Sequence, residues 1–421
     1  MADYTVRPVG IRHALQWSVF NCGNGYLINT QKQIIQHNAE LSVLILNIYK
    51  YKIIMKYFLL LFICFFYHSC ADFNKVNNKS ENIINVETKS TVDAFESFFD
   101  EYHHIALETN QGNLIADIDK MQIEDNYLWI LDRKQSVIYT FDNFGKYIQT
   151  FCRLGNGPEE YVDIADFQVV NGNIFVLSRG GLKIIEYKST GEFVKNHKLD
   201  DWYDYFYMTD NSIFLYSNFS NNKLYNLLVY NRVSETYEKK FLPYNSNQSF
   251  SFDTNPFNIT DKNEILLTQQ YDYNIYSVDS CSVNNFVTLN FDTKDKLPED
   301  IFEIGFMNIY EEFATKSVVK RIDFVNKNQD IIDLIYTLDY QPHLTRIDMK
   351  TGENKTIKLK FNDSIPYIFA KRIVVKNGYL INYLHASDVL LFDKNFTSDK
   401  NTDGILKAED NPVLFFNKLK Y

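Results

Sequence analysis

From residue 104 onward, apolar and polar positions fall into one repeated grammar: an apolar strand, a tight polar turn, a second strand that is apolar almost throughout, a third ending near Asp, and a fourth. The second strands are YLWILD at 127, NIFVLS at 173, SIFLYS at 212, EILLTQ at 264, DIIDLIYT at 330 and GYLINYL at 378. Short runs rich in Val, Ile, Leu, Tyr and Phe between Asn, Asp and Gly read as strands. The turns before them, EDN, NGN, TDN, DKN, NKNQ and KN, use residues that tolerate the left-handed backbone of tight hairpins. A second set, NFGK at 143, STGE at 189, RVSE at 232 and KTGE at 350, joins third strands to fourth.

Taking Trp129, Phe175, Phe214, Leu266, Leu334 and Leu380 as equivalent, the repeat intervals are 46, 39, 52, 68 and 46 residues. Four short strands at such a period are propeller blades. The expected fold is therefore all-β: a six-bladed β-propeller of four-stranded antiparallel blades over residues 101–421. The sixth unit offers strands near 371–376, 379–384 and 388–392 but no clear fourth. HIALET, at 104–109, has no blade of its own; as the outer strand of the last blade it would close the ring and remove exposed edges. The longest interval holds LPEDIFEIGFMNIYEEFATK, residues 297–316, whose start and apolar spacing predict a short helical insertion.

The run from IADIDKMQIEDNYLWILD through IYTFDNFGKYIQTFCRLGNGPEEYVDIADF, together with the terminal EDNPVLFFNKLKY, resembles the six-bladed β-propeller lipoproteins, related to NHL-type repeats, of Gram-negative gut anaerobes. The resemblance covers about residues 70–421, and its most specific element is Gly-x-Gly-Pro-x-Glu-Tyr, met by Gly155, Gly157, Pro158, Glu160 and Tyr161. It implies the fold and a cell-envelope location, and little about activity.

The N-terminal region fits that location. MKYFLLLFICFFYHSC, residues 55–70, has basic Lys56, an apolar run at 57–67 and small Ser69 before Cys70, the order of a secretory leader and short for a membrane span. Its ending resembles a bacterial lipoprotein signal, whose cysteine is diacylated, although Tyr67 stands where Leu is usual. An uncut signal anchor is the alternative. Met55 is placed as the initiator, which makes 1–54 a mis-called upstream extension, 55–69 the signal peptide, and 70–100 a polar tether and linker in which 75–90 reads as flexible. The chain would then be held to the outer membrane, on its periplasmic or surface face, by a lipid on Cys70.

Aromatic residues make up 16% of the chain, ample for a strand-rich core. A formal net charge of −10, with no Lys/Arg stripe, argues against a nucleic-acid partner. Cys152 and Cys281, in separate units, form neither a disulfide framework nor a zinc site and read as core or strand-end residues.

LGNGPEEY joins the first unit to the second, on the face that also carries the loops after the second strands. It is either a corner, with Gly155 and Gly157 at positive φ, or a nest of amides for an anion. The loops after the second strands supply Arg133 and Lys134, Arg179, Asn218, Gln270 and Tyr271, Tyr340, and His385. Tyr, Arg and amide side chains suit a sugar or a carboxylate, and the candidate ligand-binding set is Arg133, Arg153, Arg179, Tyr271, Tyr340 and His385. The competing reading of each is a solvated rim.

Signals for catalysis are poor. A nucleophile elbow and a Walker loop are both missing. His385 and His343 could point toward a central metal, but a third ligand is lacking, and His103 and His104, adjacent in one strand, must face opposite ways. The sequence thus calls for no metal or cofactor. The leading expectation is a monomeric, lipid-anchored binding protein for a small ligand, a glycan or peptide fragment, or for a partner protein. A propeller lyase, lactonase or hydrolase is the alternative, and a scaffold of an envelope complex the third.

Overall fold

The computed structural model describes residues 82–89, 95–246, 253–260, 262–298, 301–302, 316–359, 372–393, 396 and 405–421. Strands β1 (Ile83–Asn85) and β2 (Phe99–Ala106) come first. Blade one holds β3 (Lys120–Glu124), β4 (Tyr127–Asp132), β5 (Val137–Asp142) and β6 (Tyr147–Phe151); blade two holds β7 (Asp166–Val170), β8 (Asn173–Ser178), β9 (Lys183–Lys188) and β10 (Phe193–Lys198). Blade three holds β11 (Tyr205–Met208), β12 (Ser212–Tyr216), β13 (Tyr225–Asn231) and β14 (Thr236–Pro243). Blade four holds β15 (Phe257–Ile259), β16 (Ile265–Leu267), β17 (Asn274–Val278) and β18 (Val283–Asn290), and blade five β19 (Ile322–Asn328), β20 (Ile331–Leu338), β21 (Gln341–Asp348) and β22 (Asn354–Lys358). Blade six runs from β23 (Val374–Lys376) through β24 (Tyr379–Leu384) and β25 (Val413–Leu419) to β2 outermost. The protein is a six-bladed β-propeller, closed by its N-terminal strand with Ile105 opposite Leu414.

The turns behave as their residues dictate. Asp125, Asn171, Asn263, Gln329 and Asn377 all take positive φ before second strands, and Gly145, Gly191, Glu235 and Gly352 do so between third and fourth. Second strands are apolar on both faces because each blade is sandwiched between two others. In β4, Trp129 and Leu131 join a core with Phe167, Val169 and Ile174 of blade two, whereas Leu128 and Ile130 pack with Tyr383 and Leu414 of blade six. A comparable core fills every other joint between neighbouring blades.

Inner strands present an unpaired edge to the axis, and amide side chains satisfy part of it. Gln122 of β3 exchanges two hydrogen bonds with the backbone of Val169 in β7, Gln168 of β7 does the same with Met208 in β11, and Asn258 of β15 accepts from Val325 of β19. These latches tie blade one to two, two to three and four to five nearest the axis.

Four expectations need correction. Residues 388–392 are not a strand but belong to helix α1 (Ala386–Phe392), because Ala386, Val389 and Leu390 fall at i, i+3 and i+4 and pack as one stripe; the C-terminal VLFFNKL is the third strand instead. Part of the supposed flexible tether is ordered. β1 adds to blade four parallel to β18, with Ile84 and Val86 buried and Thr88 donating to Asp295 at 2.7 Å, since alternating Ile84 and Val86 supply one apolar face. Cys281, free and exposed, sits in the turn between β17 and β18 rather than in the core or at a strand end, whereas Cys152, also free and exposed, directly follows β6 as a strand-end residue. His343 is on the third strand β21, not an inner strand, and is buried and stacked on Tyr336 within blade five, with Nδ1 3.0 Å from the Gln341 carbonyl. The expected insertion at 297–316 lies largely outside the described residues, and residues 1–81 wholly so.

Candidate functional site

The start of each inner strand and the end of each second strand lie on one face of a propeller, so their flanking residues meet around the axis. Blades one and four are opposite each other in the ring, as are blades three and six. A side-chain contact between opposite blades must therefore cross the axis. Asp253, just before β15, makes such a contact: its Oδ2 accepts from Arg133 Nη1 of blade one at 2.8 Å and from Arg372 Nη2 of blade six at 2.7 Å. Its Oδ1 accepts from the Tyr205 hydroxyl of blade three. Four blades thus converge on one carboxylate.

Asp119, just before β3, supports the cluster from below. Its Oδ2 accepts from the Arg133 backbone amide at 2.8 Å and its Oδ1 lies 3.5 Å from Arg372 Nη2. The Arg133 guanidinium lies over the Tyr205 ring at 5.4 Å, a cation–π contact. Burial raises the Asp119 pKa, against the pull of Arg133 and Arg372. Burial opposes charge on Asp253 as well, yet the two guanidiniums prevail and hold its carboxyl far below the usual range. Asp253 remains half exposed at 49%, while Arg133 and Arg372 are 23% and 15% exposed. The Nε atoms of both arginines are buried without a hydrogen-bond partner. The arrangement is a two-guanidinium fork that holds a carboxylate of its own chain.

Of the residues singled out in the sequence, Arg133 alone belongs to this fork. Arg179 is next to it, paired with Asp204 at 2.8 Å and lying over half-exposed Trp202. His385 precedes α1, and its Nε2 lies 3.5 Å from Asp117 Oδ1, which also accepts from Tyr383. Tyr340, 67% exposed, lines a separate cleft of about 170 Å³ with Lys316, Lys320, Arg321, Thr337 and Asp339. Tyr271 packs against Phe219 and Phe302. Arg153 donates to the Gly191 carbonyl through Nε at 3.1 Å and Nη2 at 2.9 Å, tying the linker after β6 to the β9–β10 hairpin of blade two.

LGNGPEEY is a corner. Tyr161 is fully buried, accepts from the Arg153 amide at 2.9 Å and donates to the Ser136 carbonyl at 3.0 Å. Neither Gly155 nor Gly157 has positive φ. A Cβ on Gly155 would stand 2.0 Å from the Glu160 carboxylate, which folds back to accept from the Gly157 amide; glycine leaves room for that contact, although the carboxylate is the movable end of its side chain.

Arg372, Asp253, Tyr205 and Asp119 were not singled out. Only their position immediately beside inner-strand starts could have suggested them, and that requires the strand boundaries first. Among the described residues no cluster of three or more His, Cys, Asp or Glu could hold a metal ion, and no helix is long and apolar enough to cross a membrane.

Solved structures share the architecture. A Bacteroides fragilis protein designated as exported superposes with a TM-score of 0.63 at 17% identity, over 81% of this chain and 100% of its own. A Bacteroides vulgatus member of the DUF4221 family gives 0.50 at 13% identity, over 76% of this chain and 97% of its own. Virginiamycin B lyase from Staphylococcus aureus is looser, at 0.42 and 13% identity over 75% of this chain and 99% of its own, and carries no functional argument. No curated protein matches the chain. The model of a domain of unknown function, DUF4934, matches residues 81–418, from β1 to the last strand, and the chain belongs to that family.

Proposed function

We propose that this protein is an exported, envelope-bound propeller that binds a small anionic ligand, an acidic glycan or a peptide fragment, at the axial mouth of the ring. The observation that carries the reading is the convergence of Arg133, Arg372 and Tyr205 from three blades on one carboxylate. Paired guanidiniums recognise planar anions through charge-assisted hydrogen bonds. Export is supported by the leader-like residues 55–70 and by the fold shared with the B. fragilis protein designated as exported, and a lipid on Cys70 by the Ser69–Cys70 ending of that leader. An enzyme acting on such a ligand is the second reading, favoured by the His385–Asp117 pair as a proton-holding group beside the fork.

Isothermal titration of residues 71–421 with uronate oligosaccharides, and with peptides bearing free or amidated C-termini, tests the proposal. Saturable binding of the free acid, lost on amidation and in Arg372→Ala, supports it; equal binding of acid and amide refutes it. Turnover of a bound ligand that is lost in His385→Ala would favour the enzyme.

A further inference from the structure

We infer that Asp253 is an internal stand-in for the ligand: the carboxylate receptor of the propeller mouth is self-occupied, and a ligand enters by displacing the Asp253 side chain from Arg133 and Arg372. The inference rests on the binding reading above and deepens it, because it fixes both the charge class of the ligand and the way its site is regulated.

Three observations lead there. Firstly, Asp253 shows what the fork accepts. One carboxylate oxygen takes Arg133 Nη1 at 2.8 Å and Arg372 Nη2 at 2.7 Å, and the other takes the Tyr205 hydroxyl, so a planar carboxylate satisfies donors from three blades at once. Secondly, the fork and its occupant are built differently. The arginines are mostly covered and anchored by Asp119 and the Tyr205 ring, whereas Asp253 is half exposed and precedes β15, outside the sheet. Thirdly, satisfaction is incomplete. Both arginine Nε atoms are buried with no hydrogen-bond partner, so Asp253 leaves part of the donor capacity of each guanidinium unused.

Charge counting narrows the class. The adjoining Arg179–Asp204 pair cancels, which leaves two guanidiniums facing two carboxylates, Asp119 and Asp253. With Asp253 swung out and Asp119 ionised, the fork keeps a net charge of one, which matches a monocarboxylate better than a phosphate dianion. Asp253 then acts as a competitor at very high effective concentration, so weak or neutral ligands are refused.

Chemical rescue tests this. Asp253→Gly and the gentler Asp253→Asn are melted in sodium chloride, acetate, D-glucuronate or phosphate at matched ionic strength, with wild type and Asp253→Gly/Arg133→Gln alongside. Acetate and D-glucuronate should raise the Tm of the Asp253 variants by about 3 °C or more over chloride, dose-dependently, and should not rescue the double variant. Glucuronate should bind Asp253→Asn at least tenfold more tightly than wild type. If Asp253→Gly does not fold, Asp253→Asn carries both measurements. Equal affinity of glucuronate for wild type and Asp253→Asn overturns the stand-in while leaving the binding reading intact. Rescue of the variants without binding of any carboxylate to wild type overturns the displacement and leaves Asp253 a fixed structural partner of the two arginines. No rescue and no binding removes both, and rescue by phosphate equal to that by acetate overturns the monocarboxylate assignment.

Discussion

Gln122 holds both polar groups of Val169 in the neighbouring blade: its Nε2 donates to the carbonyl at 2.6 Å and its Oε1 accepts from the amide at 2.9 Å. One side chain thus completes the inner edge of a strand that no further strand could reach. Gln122→Ala would orphan a donor and an acceptor near the axis. It should lower stability by about 2–3 kcal/mol in urea unfolding, and Gln122→Glu, unable to donate when ionised, should recover only part. Gln168, latched to Met208 in the same way, should behave alike.

Ring closure depends on Gly145. Its φ is +81°, and a Cβ there would stand 2.6 Å from Ile105 Cγ2 and 2.7 Å from the Ala106 carbonyl oxygen, both on β2. Gly145→Ala therefore combines a left-handed penalty with a clash against the closing strand, and a loss of about 2 kcal/mol or more is expected. Amide exchange should locate the damage: protection should fall first in β2 and β25.

Acid sensitivity should trace to His197. Its ring is buried on β10 with neither nitrogen hydrogen-bonded, and burial, followed by the nearby Lys195 and Arg232, lowers its pKa to about 4. The unfolded chain titrates near 6.5, so it takes up the proton first. The contribution is fully present above about pH 6.5 and is lost as the pH falls to about 4, on the order of 3 kcal/mol. His197→Leu should flatten the stability profile over that window; an unchanged slope would refute the assignment.

At the fork, Arg372→Ala should cost only about 1–2 kcal/mol, because half-exposed Asp253 can turn to water, yet it should abolish carboxylate binding. Arg372→Lys should restore the charge without restoring binding, since an ammonium lacks the planar fork.

Tyr161→Phe keeps the buried ring and removes the hydroxyl that bonds to the Arg153 amide and the Ser136 carbonyl. A loss of about 1–3 kcal/mol with unchanged ligand binding is expected, as befits a corner.

How much of this was legible beforehand follows from the range of each interaction. The six repeats, the left-handed turns at Asp125, Asn171, Asn263, Gln329 and Asn377, and the closure by β2 could be read directly, because turn chemistry and strand alternation are local and a missing fourth strand has to be supplied by the chain itself. The reading failed where short apolar runs were ambiguous. Residues 388–392 carry a helical stripe that resembles a strand, and the sparse pair Ile84 and Val86 is enough to dock β1. Gly155 was expected at positive φ, which it does not adopt; its lack of a side chain instead leaves room for the Glu160 carboxylate five residues on.

The site was the least legible. Arg133 could be placed on the correct face from its position after a second strand, but its partner Asp253 is 120 residues away, and Asp253 lies 119 from Arg372. Nothing periodic marks Asp253, Tyr205 or Arg372, since each simply flanks the start of an inner strand. The sequence by itself determined the number of blades, their turns and the strand that closes them, because those follow from backbone conformation and alternation within a few residues. Only the tertiary structure decided which charges meet at the axis, because closing a ring brings opposite blades together whatever their separation along the chain.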